Sequence, residues 1–233
     1  ETARIAFHNQ EAVYGLLFRT ASETLLTIAS DPKHLGAGIG FFGILHTWGQ
    51  NLLYHPHLHC VVPGGGLSPD HQRWVGCRPG FLFPVRVLSR LFRRLFLEAI
   101  GQAFDRGRLK FFSELEPLND PEAFARYLEP LAAAEWVVYA KPPLGGPLQV
   151  LEYLGRYTHR VAISNQRLLA LEQGRVSFRW KDYRHPQRPK TMRLAAEEFI
   201  RRFLLHSLPD GFQRIRHYGL LANRYRRQAL ALC

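Results

Sequence analysis

The stretch "IGFFGILHTWGQNLLYHPHLHCVVP", residues 39–63, contains two segments rich in apolar and β-forming residues. Residues 39–48 predict a buried strand that ends at His46, and residues 57–63 predict the strand beside it. Two neighbouring strands of this kind predict a sheet, and the remaining strands of the chain are candidates to extend it.

Three histidines stand at alternate positions in this stretch: His55, His57 and His59. Successive side chains of a strand point to opposite faces, so residues two apart share a face. Composition alone predicts roughly 0.02 such triplets in a chain of 233 residues with 11 histidines. Because neutral imidazoles suit several divalent metals, the pattern indicates metal ligands. The alternative is a surface strand of histidines that bind nothing.

The remaining segments alternate between helix and strand without a regular βαβ rhythm. The spacing of apolar residues predicts helices over 9–30 (with Asn9 as a cap), 84–107, 121–133, 147–159, 195–206 and the end of the chain. Strand composition predicts strands over 135–143, 160–170 and 175–183, and a short one near the C-terminus. We therefore predict an α+β fold with a mainly antiparallel sheet.

Composition narrows the class of partner. The net charge of +12 and the isoelectric point near 10.1 favour an anionic partner, nucleic acid first and an anionic membrane surface second. The three cysteines, Cys60, Cys77 and Cys233, have no C-x-x-C spacing. This excludes a disulfide framework and a cysteine zinc ribbon within the chain, and it fits a reducing cytosol.

A second cluster of chemistry-bearing residues lies in the string "YLGRYTHR", which begins at Tyr153. Tyr153 and Tyr157 are four residues apart, so a helix places them on one face. Tyrosines at this spacing are often half-buried core residues. Arg156, His159 and Arg160 surround this pair, however, and arginine beside a phenol oxygen suits a face that handles phosphate.

Together, the strand motif His57-Leu58-His59 and the downstream Tyr-x-x-x-Tyr resemble the HUH endonuclease superfamily. Within it, several strings resemble the two-tyrosine rolling-circle transposases of the insertion-sequence-ninety-one type: "LHTWGQNLLYHPHLHCVVPGGGLS", "WVVYAKPP", "YLGRYTHRVAISN", "FRWKDYR" and "EFIRRFLLHSLPDGFQRIRHYGLLANR". The resemblance covers nearly the whole chain. It implies an HUH-nuclease-like fold with a ferredoxin-like core.

The resemblance also implies an activity. A tyrosine cuts one DNA strand, leaves a 5′-phosphotyrosine and a free 3′-hydroxyl, and the strand is then transferred. It assigns Tyr153 and Tyr157 as the nucleophiles, with the order of action left open. It further implies Mg²⁺ or Mn²⁺ held by His57 and His59, although histidines alone equally suggest Zn²⁺.

A third polar ligand is expected beside the two histidines. His46 is favoured because it ends the neighbouring strand and precedes His57 by 11 residues, a spacing similar to that of relaxases in the superfamily. Gln50 and His55 are the alternatives. His55 shares the strand face, but Pro56 can turn the backbone away.

Basic residues near the tyrosines and on the following hairpin are the expected DNA contacts: Lys141, Arg156, Arg160, Lys181, Arg184 and Arg188, with Trp180 and Tyr183 among them. Cations interleaved with aromatic rings suit single-stranded DNA, because bases stack while phosphates pair with cations. The expected partner is single-stranded or hairpin DNA at the ends of a mobile element, in the bacterial cytoplasm and associated with the nucleoid.

We expect two units, an HUH-type catalytic domain over 1–160 and a basic DNA-binding extension over 161–233. The family carries an N-terminal cysteine-rich zinc-binding region and a preceding strand of the catalytic sheet, and neither is present here. The catalytic sheet is therefore expected to lack its first strand, so that this chain alone is expected to bind DNA but to nick it poorly. Two further hypotheses are a plasmid replication initiator or relaxase-like nickase, and a non-catalytic DNA-binding remnant.

Overall fold

The computed structural model describes residues 2–80, 82–158, 162–182, 189–224 and 226–232. Within these residues the helices are α1 Thr2–His8, α2 Gln10–Ser30, α3 Val85–Asp105, α4 Pro121–Ala133, α5 Pro147–Thr158, α6 Ala196–Leu204 and α7 Arg226–Ala231. The strands are β1 Gly40–Trp48, β2 Tyr54–Val61, β3 Gly65–Leu67, β4 Trp74–Gly76, β5 Leu168–Glu172, β6 Arg175–Lys181, β7 Pro189–Ala195 and β8 Ile215–Gly219. Short 3-10 helices cover Ser113–Asn119 and Asn165–Arg167.

The sheet that carries the histidines has three strands in the order β2-β1-β8, and both pairings are antiparallel. In the register of β1 with β2, His46 lies opposite His57 and Ile44 lies opposite His59. The other sheets, β3-β4 and β5-β6-β7, are also antiparallel. The predicted α+β fold with a mainly antiparallel sheet is therefore confirmed.

Helix α2 covers one face of this sheet. Phe41 lies in an apolar cluster with Ile28, and Leu45 lies in another with Phe18, so these alternate residues of β1 pack on α2. Because side chains alternate along a strand, His46 lies on the opposite face. Burial of the apolar residues thus sets the register that places the histidines away from α2.

A second core joins α1, α2, α3 and α4, and Asn9 lies at the junction of the first two. Asn9 lies at the N-terminal end of α2 as predicted, but its side chain does not make the predicted capping hydrogen bond. Instead its amide donates to the carbonyls of Ile5 and Lys110 at 3.0 and 2.9 Å, and its oxygen accepts the Lys110 N–H at 2.7 Å. A buried amide needs hydrogen-bond partners, and the backbone groups of Ile5 and Lys110 supply them here in place of the N–H groups of the helix end.

The predicted hairpin in the C-terminal half is confirmed, but its first strand starts eight residues later and ends two residues later than predicted, and its second strand ends two residues earlier. Strands β5 and β6 are joined by Gln173 and Gly174, both with positive φ (51° and 68°), as in a two-residue hairpin turn. Strand β7 completes this sheet and was not predicted. Its inner face packs around Phe178, which is fully buried.

Residues 135–143 were predicted to form a strand, and this is wrong. The segment has no regular secondary structure and pairs with no strand in the described part of the chain. Val137 is 95% exposed and Tyr139 is 76% exposed. Trp136 and Val138, on the other side of the segment, pack against apolar clusters that include residues of α3. The segment therefore has the half-buried side that strand composition expresses, but the described chain supplies no neighbouring strand to hydrogen-bond with it.

The division of the chain at residue 160 stays a prediction. Strand β8, which belongs to the segment assigned to the C-terminal extension, pairs with β1 over Gly40–Ile44. The histidine-bearing sheet is therefore built from both halves of the sequence. No helix among the described residues is long and apolar enough to cross a membrane.

A pair of tyrosines ties α2 to the start of β2. The hydroxyls of Tyr14 and Tyr54 are 2.6 Å apart, and burial raises the pKa of both, so both keep their protons. Tyr54 also makes a hydrogen bond with Gln10, whereas Tyr14 is fully buried.

We expect Tyr54→Phe, which leaves the buried Tyr14 hydroxyl without its partner Tyr54, to lower the free energy of unfolding by about 1–2 kcal/mol more than Tyr14→Phe. Urea denaturation measures both, and equal losses would contradict this.

Candidate metal and nucleophile site

Three imidazoles meet on the face of the sheet opposite α2. His46 comes from β1, and His57 and His59 come from β2. His46 and His57 are directly opposite each other across the two strands, and His59 is two residues along on the same face. Strand pairing and strand alternation together bring the rings into one cluster.

The ring nitrogens of these histidines form a compact donor set. One nitrogen of each ring lies within 4.8 Å of the others. The Nε2 atoms of His57 and His59 are 3.1 Å apart. Nitrogens on neighbouring positions around one ion, at about 2.1 Å from it, lie about 3.0–3.4 Å apart. The distance between His57 and His59 therefore fits two neighbouring ligands of one divalent ion, and His46 lies close enough to be a candidate for a third.

The backbone holds His57 in the form that a metal needs. Its Nδ1 donates to the carbonyl of His55 at 2.7 Å, which places the proton on Nδ1 and leaves the lone pair on Nε2. Burial lowers the pKa of His57 and the neighbouring His55 ring lowers it further, while the hydrogen bond opposes both. The neutral imidazole, which is the ligand form, is thus favoured.

The three candidates for the third ligand are placed differently. His46 is 3% exposed and its ring centroid is 4.5 Å from that of His59. His55 is exposed and contributes its carbonyl to the cluster. The backbone carbonyl of Gln50 accepts a hydrogen bond from Arg167. Among the described histidine, cysteine and acidic side chains, His46 joins His57 and His59 in a group that could hold a metal ion, and His55 does not.

Tyr153 lies beside the histidines. Its hydroxyl is 3.2 Å from Nδ1 of His59, and the ammonium of Lys141 lies 5.8 Å from the centre of its ring. Tyr153 is half-buried on α5, so the helix presents one predicted nucleophile to the sheet. Position 157 follows one helical turn later on α5, but the side chain of Tyr157 lies outside what the structure describes.

The predicted DNA contacts are only partly described. Lys141 is exposed near Tyr153, and Lys181 is exposed at the end of β6. The side chain of Arg156 and the residues Arg160, Tyr183, Arg184 and Arg188 lie outside the described part. Trp180 was expected among the base-stacking residues, and it packs against the cluster around Phe178.

Sequence reasoning missed the residues that support the histidines. Trp48 stacks on His46, with ring centroids 4.8 Å apart and 15° between the planes. Arg202 and His206 reach the turn between β1 and β2 from α6 and the residues after it. Trp48 lies two residues after His46 in the same strand, and this spacing was a signal for the first contact. Nothing in the sequence pairs the other two with a turn about 150 residues earlier.

Comparison with known proteins places the sequence of this chain in a family. A family model described as "Putative transposase" matches residues 40–229, which include both histidine-bearing strands and α5. No solved structure matches the chain.

Two curated relatives are similar over most of the chain. A protein named "Putative transposase y4qJ" from Sinorhizobium fredii is 68% identical over 231 residues, 99% of this chain and 58% of the relative. The transposase for insertion sequence element IS801 from Pseudomonas savastanoi pv. phaseolicola is 30% identical over 210 residues, 89% of this chain and 48% of the relative. The chain thus spans about half the length of these relatives. With a family match over 40–229 and a relative 68% identical across nearly its whole length, the chain belongs to this transposase family.

Proposed function

We propose that this chain carries the DNA-nicking and strand-transfer centre of a rolling-circle transposase that works through 5′-phosphotyrosine intermediates. Tyr153 and Tyr157 are the nucleophiles, and His46, His57 and His59 hold a divalent metal. The observation that carries the proposal is the 3.2 Å approach of the Tyr153 hydroxyl to His59, a member of the histidine cluster. A candidate nucleophile and a candidate metal site thus share one face of the sheet.

The donor set favours particular metals. Three neutral imidazoles suit Mn²⁺ and Zn²⁺ better than Mg²⁺, which prefers carboxylate, phosphate and water oxygens. Zn²⁺ binds imidazole more tightly than Mn²⁺ does, and Mn²⁺ accepts imidazole nitrogen more readily than Mg²⁺. We propose Mn²⁺ as the ion that supports activity, with Mg²⁺ as an alternative that relies on oxygens of the DNA. When bound, the ion polarises the scissile phosphate and neutralises charge that builds on its oxygens.

The protein's own residues manage the proton of Tyr153. A phenol titrates near pH 10 and is a weak nucleophile at neutral pH. With Nε2 of His59 committed as a ligand, the ring proton is on Nδ1, and that N–H donates to the Tyr153 oxygen. A hydrogen bond donated to this oxygen stabilises the phenolate form of Tyr153, and the Lys141 ammonium near the ring acts in the same direction. The phenolate oxygen is the form that attacks phosphorus.

The chemical step balances without a further reagent. The Tyr153 hydroxyl loses its proton to solvent as its oxygen forms a bond to phosphorus, the bond from phosphorus to the 3′ oxygen breaks, and the 3′ oxygen leaves and takes up a proton from solvent. A second tyrosine lets the enzyme cut another strand while the first remains joined to DNA. Two helix positions one turn apart meet that requirement, and Tyr153 and Tyr157 have this spacing on α5.

We propose single-stranded or hairpin DNA at the ends of a mobile element as the substrate. The net charge of +12 supports an anionic partner, and Lys141 and Lys181 are exposed cations on the described surface. A strand that can be splayed lets its phosphate reach a centre lying on the face of a sheet, whereas a paired duplex is stiff.

A covalent-adduct assay tests this function. The protein is incubated with a 5′- or a 3′-labelled single-stranded oligonucleotide from the end of an element, with Mn²⁺ or with a chelator, and then denatured. We expect a protein–DNA band that resists denaturation, that requires the metal, and that forms only with the 3′-labelled strand, because the tyrosine retains the 5′ phosphate. The same sequence as a duplex is the control and should give little adduct. A metal-treated protein that binds the strand yet forms no adduct would support a non-catalytic remnant.

A further inference from the structure

The turn that joins the two histidine-bearing strands is held by residues far away in the sequence. Residues 49–53 separate β1 from β2, so this turn lies between His46 and His57. Its carbonyls at Gln50, Asn51 and Leu52 all accept hydrogen bonds from side chains of the C-terminal half. Three successive carbonyls of one turn are thereby fixed from outside the sheet. The three donors are Arg167, Arg202 and His206, which we call the turn clamp.

The contacts of the turn clamp have defined donors. Arg167 donates through Nη2 to Gln50, and Arg202 donates through Nη1 to Asn51 at 3.3 Å. His206 donates through Nε2 to the Leu52 carbonyl at 3.2 Å, which leaves its Nδ1 to accept from the Thr47 hydroxyl at 3.3 Å. Thr47 is the residue after His46, so His206 links the end of β1 to the far side of the turn.

The backbone of the turn is one that needs support. Leu52 has φ +59°, in the left-handed region that a leucine rarely adopts. Its side chain is fully buried in a cluster with Ile163 and Phe178, which belong to the C-terminal half. Such a conformation persists only where the surroundings over-determine it, and the packing and the clamp together do so.

The geometry of the candidate metal ligands depends on this end of the hairpin. The pairing of β1 with β2 shifts register between His46 and Trp48, immediately before the turn. An irregularity of this kind re-aims the side chains beside it. Trp48 stacks on His46 and also packs against the cluster around Phe178. The C-terminal half therefore reaches His46 both through the backbone of the turn and through Trp48.

We infer that the turn clamp consists of positioning residues for the histidine site, and that the sheet β5-β6-β7 with α6 controls how well His46, His57 and His59 bind a metal. This inference rests on the proposed metal site and adds a second task for the C-terminal half beside contact with DNA. A loosened turn lets His46 move relative to His57, and metal affinity falls when supporting contacts of ligands are lost.

The test compares two arginines that share one carboxylate. Arg201 and Arg202 both bind Glu198 at 2.6 Å, but only Arg202 also donates to the turn. We expect Arg202→Ala to weaken Mn²⁺ binding on the order of tenfold to a hundredfold, the range seen when outer-shell partners are removed. The matched control Arg201→Ala should change it less than about twofold, as expected for an exposed ion pair. Titration followed by the electron paramagnetic resonance of free Mn²⁺ measures both.

Variants at His206 separate positioning from general damage. His206→Ala removes the donor and the acceptor, whereas His206→Gln retains an amide donor for Leu52 and an amide oxygen for Thr47. We expect His206→Gln to bind Mn²⁺ severalfold more tightly than His206→Ala. Circular dichroism establishes which variants are folded. Folded Arg202→Ala and His206→Ala proteins with the Mn²⁺ affinity of the wild type would overturn the inference.

Hydrogen exchange without any metal distinguishes this inference from the proposed function. In the metal-free protein, Arg202→Ala should speed amide exchange in peptides that cover residues 45–59, and Arg201→Ala should not. If the wild type bound no metal, the proposed function would fail, but the difference in amide exchange between the two variants would still show whether the turn clamp holds the turn. Unchanged exchange in the Arg202→Ala protein would show that the turn does not depend on the C-terminal half.

Discussion

His57→Ala and His59→Ala should each abolish metal-dependent nicking and leave the binding of single-stranded DNA largely intact. Each change removes one of the three proposed nitrogen ligands, so metal affinity should fall by on the order of a hundredfold or more. Both residues are half-buried at the surface of the sheet, so the fold should survive. Nicking is measured on a labelled oligonucleotide at low Mn²⁺, and DNA binding by fluorescence anisotropy.

His34→Ala is the matched control, because His34 is an exposed histidine after α2 and outside the cluster. It should nick DNA at the wild-type rate. High Mn²⁺ should partly restore nicking by the His59→Ala protein if two ligands remain. Wild-type nicking by either His57→Ala or His59→Ala at low metal would exclude the proposed site.

Tyr153→Phe and Tyr157→Phe should have a comparably large effect on the covalent step. Phenylalanine keeps the ring and its packing and removes only the hydroxyl, so the loss reports on the nucleophile. Each single change should leave some adduct through the other tyrosine but prevent complete strand transfer. The double change should reduce adduct below detection, which denaturing gel electrophoresis measures.

Tyr139→Phe is the control for this series. Tyr139 is 76% exposed on the segment before α5, so removing its hydroxyl tests a nearby phenol without a predicted role. It should form adduct as the wild type does. An adduct formed by the Tyr153→Phe, Tyr157→Phe protein would mean that these are core tyrosines and that the nucleophile lies elsewhere.

Local pattern was sufficient for most of the helices. The prediction for α4 matches the observed bounds, and that for α3 differs from them by one residue at the start and two at the end. The apolar stripe of an amphipathic helix repeats every turn, and each turn closes its own backbone hydrogen bonds. Such an element can be recognised from consecutive residues alone.

Strands were predicted less well because a strand depends on a partner. Residues 135–143 have strand composition but pair with nothing in the described chain, while β7, which was not predicted, pairs along its length with β6. Strand β8 joins β1 across about 170 residues of sequence. Neither the presence of a partner nor its identity is encoded in the composition of one segment.

The sequence by itself determined which residue types form the candidate site. Alternation placed His57 and His59 on one face, and the four-residue spacing placed Tyr153 and Tyr157 on one side of a helix. Only the tertiary structure decided that His46, rather than His55, has a ring nitrogen beside theirs, since this follows from the register of β1 with β2. Only the tertiary structure brought Arg202 and His206 to the turn at Asn51 and Leu52. These contacts join residues about 150 positions apart, and their position depends on how the whole chain packs, which no local pattern contains.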